Sequence, residues 1–241
     1  MTGVAGTHHL SVLHHFAATV TATSLRRTVT GLVIALVLLV PQRAWRVGRL
    51  VVTAVHESGH ALMVLATGGQ VGAVHLRADS SGVTWHRGVQ GRWRRALTSA
   101  AGYPAPPLAG LAGAGLVAAG HTHAWLGALA ALAALLAVAW VRNAFGWLLT
   151  VAAGAGLVWL LAAGPERAVA VAGTACAWYL GLGGLRAALE ACGQPGRWAR
   201  NARVSDSVEL GRLAVLPAGV WRGLFVLLAA ASVAGSAALL L

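Results

Sequence analysis

Apolar runs close to the length needed to cross a bilayer recur along nearly the whole chain, and they constrain its fold more than any other feature. A bilayer core takes roughly 20 consecutive apolar residues per helix. On that scale the sequence reads as about seven spans, covering 28–45, 49–67, 96–120, 124–141, 144–164, 167–189 and 216–241. The first is the weakest, because its strongly apolar part, 32–40, is short. Only 10% of the residues are charged, where a soluble domain carries roughly 25%. That deficit excludes a water-soluble enzyme, a disordered tail and a nucleic-acid-binding module. The net charge of +12 does not point to nucleic acid either: every basic residue is an arginine, and the arginines sit between the apolar runs. The expected fold is an all-α polytopic membrane protein with about six to seven transmembrane helices and a short cytoplasmic β-hairpin.

The distribution of arginine sets the expected orientation. Arg26, Arg27, Arg77, Arg87, Arg92, Arg94, Arg95, Arg142, Arg186, Arg197, Arg200, Arg203 and Arg212 fall on one side of a seven-span arrangement. Arg43, Arg46, Arg49 and Arg167 fall on the other, and Arg222 lies inside the last run. The crowded side is expected to be cytoplasmic, with the N-terminus inside. Residues 1–27 then form a cytoplasmic tail and 28–241 one transmembrane domain. Two polar stretches interrupt it. In 68–95, Val74 and Leu76 alternate with polar neighbours, Asp79-Ser80-Ser81-Gly82 has turn chemistry, and Val83 and Trp85 alternate again, which predicts the hairpin. The second, 190–215, is a cytoplasmic loop with a breaker at Pro195-Gly196 and a short helix expected near Asp206. Cys176 and Cys192 are too far apart along one helix to pair and are expected as free thiols.

The most informative segment is His56-Glu57-Ser58-Gly59-His60, in the second run. On a helix, positions i and i+4 share a face, so both imidazoles can reach one metal ion. Glu57, beside the first of them, can act as general base on water activated at that metal without ligating it. Given this composition, chance supplies roughly 0.007 such motifs per chain. Three ionisable groups inside an apolar helix are costly and are functional by default. The span's expected cytoplasmic end near Gly68 lies about 12 Å of helix beyond His60, so the motif would sit in the membrane within reach of cytoplasmic water.

With that motif, the sequence resembles the site-2 protease family of zinc intramembrane metallopeptidases, in particular its compact bacterial branch. The resemblance continues through Thr67-Gly68-Gly69, the hairpin segment Gly82-Val83-Thr84, Ala101-Gly102-Tyr103-Pro104 and Ser205-Asp206, spread over about residues 50–225. It implies a zinc-dependent endopeptidase that cuts membrane-anchored protein substrates, often regulators, transcriptional ones among them, whose soluble part is released. The absence of lysine beside abundant alanine, glycine and arginine suggests a GC-rich bacterial gene and hence the bacterial inner membrane. The chain departs from better-known members in one respect. It has no Asn-Pro stretch ending in Asp-Gly within a span, and its two asparagines, Asn143 and Asn201, stand in other contexts.

A catalytic zinc usually takes three protein ligands and a water. Of the acidic residues, Glu190, Asp206 and Glu209 lie on the expected side for the third ligand, and the resemblance favours Asp206. Asp206-Ser207-Val208-Glu209 also reads as a helix N-cap with its capping-box partner. Gly82, Val83 and Thr84 are candidates for substrate binding, because an edge strand beside the metal could hold an unwound peptide by strand addition. His75 and His86 are expected on the hairpin's polar face, His121 and His123 on the far side of the membrane, and His8, His9, His14 and His15 offer adventitious metal binding at most. Two other classes compete with the peptidase. A metal-binding transporter would need a polar path through the bundle, and Arg222 is the single further charge well inside a run. A non-catalytic scaffold would have no use for Glu57.

Overall fold

A computed structural model describes residues 24–193, 205–214 and 216–241. It is mostly helical, with one small sheet. The helices are α1 (Ser24–Leu39), α2 (Gln42–Ala66), α3 (Arg92–Ala101), α4 (Ala105–Ala118), α5 (Thr122–Leu135), α6 (Ala144–Ala163), α7 (Glu166–Gly193), α8 (Asp206–Leu213) and α9 (Ala218–Leu240). A π-helical turn, Leu136–Trp140, extends α5. Between α2 and α3 lie β1 (Gln70–Leu76) and β2 (Gly82–Arg87). The tail and its histidine pairs fall almost wholly outside the described residues, as do Asn201, Arg197, Arg200 and Arg203.

Helix α7 is the central post. In its most apolar stretch 61% of the residues are buried inside the protein, against 11% for α6, which faces outward. Small residues let neighbours approach it closely, as expected for helices packing in lipid. At the contact with α4, a Cβ on Gly110 would lie 2.6 Å from the backbone nitrogen of Gly181. Pro107 of α4 abuts Gly184 of α7, Leu111 abuts Gly235 of α9, and Val233 of α9 abuts Gly181. The Gly110–Gly181 and Pro107–Gly184 pairings set α4 antiparallel to α7.

Among the described residues, four helices are long and apolar enough to cross a membrane: α5 with its π turn, α6, α7 and α9. The bent pair α1 and α2 adds one more if counted together. This differs from the six to seven spans expected, and the differences have physical causes. The run 96–120 is broken at Gly102-Tyr103-Pro104, because prolines at 104, 106 and 107 cannot continue a helix arriving from α3. Only the 14-residue α4 is left of that span.

The second expected span, α2, is not separate either. The chain turns by 106° at Val40-Pro41. From there α2 stays at one end of the bundle: Trp45 meets Glu190 near the end of α7, and Gly59 abuts Ala101 at the end of α3 and Ala105 at the start of α4. A helix that opens with Arg43, Arg46 and Arg49 and carries His56, Glu57 and His60 is poorly suited to lipid.

The direction of α1 follows. Thr174 of α7 donates to the Arg27 carbonyl over 3.3 Å, and Arg186, further along α7, donates to the Leu39 carbonyl. Helices α1 and α7 therefore run side by side in the same direction. In the seven-span reading their counterparts run in opposite directions; removing one crossing reverses α1.

The hairpin forms as the alternation predicts. The strands β1 and β2 are antiparallel, in register from Gln70↔Arg87 to Leu76↔Gly82, with an irregularity at Gly72. In the turn, the Ser81 amide and hydroxyl donate to Asp79 Oδ1 over 3.0 and 2.6 Å, and these bonds hold the Asp79 carboxyl below its ordinary pKa. The tip is tied to α2, since Thr53 donates to the Ser80 carbonyl and Ser80 to the Arg46 carbonyl. The outer edge of β1 is covered. Arg142 N–H donates to the Val74 carbonyl, and the Asn143 side chain both accepts from Leu76 N–H (3.1 Å) and donates to its carbonyl (2.6 Å). Hairpin, α2, α3, α8 and the 141–143 turn thus gather at one end of the bundle.

Candidate metal centre

Helix α2 places His56 and His60 one turn apart on one face, and α8 brings Asp206 to the same point. His56 Nε2 and His60 Nε2 are 3.1 Å apart; Asp206 Oδ2 lies 3.1 Å from the first and 3.3 Å from the second. A tetrahedral ion with nitrogen and oxygen donors at about 2.0–2.2 Å requires edges of roughly 3.3–3.6 Å. The observed triangle matches one face of that tetrahedron to within a few tenths of an ångström. Among the described residues this is the one group of three or more such donors arranged to hold a metal.

The space such an ion needs is kept by Gly102. Its φ of −65° is ordinary helical backbone, so conformation does not demand glycine there. A Cβ at 102 would instead run into Nε2 of both histidines. The break between α3 and α4, which removes an expected span, is what sets this residue against the donors.

The second nitrogen of His60 is fixed: Nδ1–H donates to the buried Thr98 carbonyl over 2.7 Å, which aims Nε2 at the other two donors. His56 is held by packing. Its ring meets Tyr103 edge-to-face at 4.9 Å, and Tyr103 stacks on Phe225 of α9 at 5.1 Å. Burial alone would push the Asp206 carboxyl up in pKa; His60 and His56 beside it override that and hold it well below the usual carboxylate range.

The competing acids are engaged elsewhere. Glu190 accepts from Trp45 Nε1 (2.8 Å) and Arg186 Nε (3.1 Å) and pairs with Arg49 (3.2 Å), pinning the α1–α2 corner to α7. Glu209 pairs with Arg95 of α3 at 2.5 Å. The capping reading of Asp206 also fails: Ser205 stands at the N-cap of α8 and makes no side-chain cap bond, while Asp206 is the first helical residue and turns toward the histidines.

Glu57 is 5% exposed. Its carboxylate points at β2, where Oε2 accepts from the Thr84 hydroxyl over 2.6 Å and Oε1 fills the space above Gly82. The apolar residues that alternate in β2, Val83 and Trp85, are therefore not the ones that face Glu57. Gly82 and Thr84 share a face with the fully buried Leu76 and Val74, and Trp85 is 46% exposed. The inward positions have to be a gap and a hydroxyl, because they lie against a carboxylate. His75 and His86 are not among the three donors, and His86 is exposed. His123 and Glu166 approach each other at 3.7 Å at the other end of the bundle. The roles of Thr98, Gly102 and Tyr103 are not visible in the spacing of the motif; the break at 102–104 is the one local sign.

Neither a curated protein nor a solved structure matches the chain. The model of one family, described as peptidase M50B-like, matches residues 29–236, most of its length. Together with the convergence of His56, His60 and Asp206, that match identifies the chain as a member of the peptidase M50B-like family, a family of membrane metallopeptidases.

Proposed function

We propose that the protein is a zinc-dependent intramembrane endopeptidase acting on membrane-anchored protein substrates, the activity that the resemblance in its sequence implies. The observation that carries this reading is the meeting of three donors, His56, His60 and Asp206, around a space that Gly102 keeps open, with a buried carboxylate next to the first donor. The donor set suits zinc, which when bound supplies Lewis acidity and brings the pKa of water down to about 7.

The chain's own residues do the rest. Glu57 takes a proton from the attacking water and returns it to the leaving amine. Thr84 holds that carboxylate in place through its hydroxyl, and Thr98 holds the His60 ring. The outer edge of β1 is occupied by 141–143, so the edge of β2 is where an unwound substrate strand would add. Thr84 then serves the base through its hydroxyl and Gly82 by leaving room for it, and both serve the substrate through their backbone; Val83 faces away from Glu57.

The site end of the bundle is the cytoplasmic one in this reading, and the membrane is the bacterial inner membrane. Among the described arginines only Arg26, Arg27 and Arg167 sit toward the opposite end, a stronger bias than in the seven-span arrangement. Because α1 runs parallel to α7, this reading puts Ser24 and the start of α1 on the outer side, where the seven-span reading puts them on the cytoplasmic side.

The test co-expresses the parent or Glu57→Gln with a tagged single-span membrane protein and measures zinc in the purified chains. The expected result is about one zinc in each, and a cleaved fragment with the parent alone. A parent that holds no zinc after reconstitution, or a fragment that persists with Glu57→Gln, would overturn the proposal.

A further inference from the structure

Helix α8, which carries Asp206, has only eight residues, too few to hold its own shape in water. Its placement depends on what it is tied to. From α3, Arg92 Nε donates to the Leu213 carbonyl at its end, and Arg95 pairs with Glu209 in its middle. From α9, Arg222 Nε donates to Ser207 Oγ over 3.1 Å, and Ser207 Oγ lies 3.2 Å from Ser205 Oγ. Ser207 is 3% exposed and follows Asp206 directly.

This arrangement departs from ordinary helix chemistry in two ways. The hydroxyl of Ser205 at the N-cap position makes no capping bond and faces Ser207 instead. A guanidinium is also set near a helix N-terminus, the end the helix dipole makes positive. Both are unfavourable for α8 alone. They are accounted for if the contact serves to orient the first turn. The same contact explains why an arginine stands inside an otherwise apolar run.

We propose that Arg222 is a positioning residue for the third metal donor: through Ser207 it fixes the first turn of α8 so that Asp206 Oδ2 meets the two imidazoles. The proposal rests on the metal-site reading above.

The experiment measures zinc affinity by chelator competition on the full-length protein in detergent, for the parent, Asp206→Ala, Arg222→Ala, Arg222→Lys, Ser207→Ala and the Arg222→Ala/Ser207→Ala pair. Removing an outer partner of a ligand weakens metal binding about 10–100-fold. That loss is expected for Arg222→Ala and for Ser207→Ala, with the double variant no weaker than either alone and partial rescue in Arg222→Lys. With cobalt in place of zinc, the visible bands of Arg222→Ala are expected to shift toward those of Asp206→Ala, which a general loosening of the fold would not produce. Parent-like affinity in Ser207→Ala and Arg222→Ala, or additive losses in the double variant, would overturn the proposal. Should Arg222→Ala fail to fold, the milder Ser207→Ala decides alone. Unchanged affinity in Asp206→Ala is a separate failure, that of the donor set itself.

Discussion

Thr84 of the hairpin donates its hydroxyl to Glu57 of the motif helix across 2.6 Å, and this one bond joins the strand beside the site to the group proposed as its base. The relationship explains why β2 turns a polar residue and a glycine, rather than Val83 and Trp85, toward Glu57.

Substituting Thr84 therefore tests the base without touching the metal donors. Thr84→Val removes a hydrogen bond to a charged group, a contribution of about 1.5–3 kcal/mol. Cleavage of a single-span substrate is expected to fall by about 10–100-fold, zinc content to stay at the parent level, and Thr84→Ser to recover most of the activity. Zinc loss in Thr84→Val would show that the bond supports the metal site instead.

At Gly102 the expected effect is the reverse. A methyl group there takes the space between the two Nε2 atoms, so Gly102→Ala should purify as a folded chain with little zinc. Elemental analysis alongside thermal unfolding in detergent separates the two properties. A zinc content equal to the parent's would mean that the ion sits elsewhere.

The three acids can be ranked directly. Asp206→Ala should lose the metal, whereas Glu190→Ala and Glu209→Ala should keep it, because those carboxylates answer Arg49, Arg186 and Arg95. Glu190→Ala should instead lower the melting temperature, since it leaves Arg49, Arg186 and the Trp45 indole without a shared acceptor at the α1–α2 corner. Zinc lost in Glu190→Ala at an unchanged melting temperature would contradict this division.

Orientation is checked by labelling. In a background with Cys176 and Cys192 replaced by serine, Ser24→Cys and Glu166→Cys are expected to react with a membrane-impermeant maleimide from the same face. Asp79→Cys, at the hairpin tip, should react from the opposite, cytoplasmic face. Labelling of Ser24→Cys from the cytoplasmic side would restore the seven-span arrangement.

Much of the molecule is legible in the order of its residues because the relevant physics is local. The 3.6-residue period puts His56 and His60 on one face wherever the helix lies. The period of two and the Asp79-Ser80-Ser81 turn predict the hairpin, and the helix near Asp206 starts where expected. Three features were not legible in this way. Position alone leaves Glu190, Asp206 and Glu209 open, and only the resemblance favours Asp206, until arginines from α2, α3 and α7 claim the other two. The inward face of β2 depends on the carboxylate it meets. Arg222 is only an anomaly in an apolar run until Ser207 lies against it.

What the sequence determined by itself is that the chain is a bundle of apolar helices carrying a paired-histidine motif with a glutamate beside it, since composition and short-range spacing suffice for both. The tertiary structure added how the helices pack, that Asp206 rather than Glu190 or Glu209 lies against the two imidazoles, and that α2 lies toward one end of the bundle. The physical reason is that lipid and protein interior are equally apolar, so hydropathy cannot tell a crossing helix from a buried one. A donor from a distant segment, in turn, reaches its partners only after the bundle has packed.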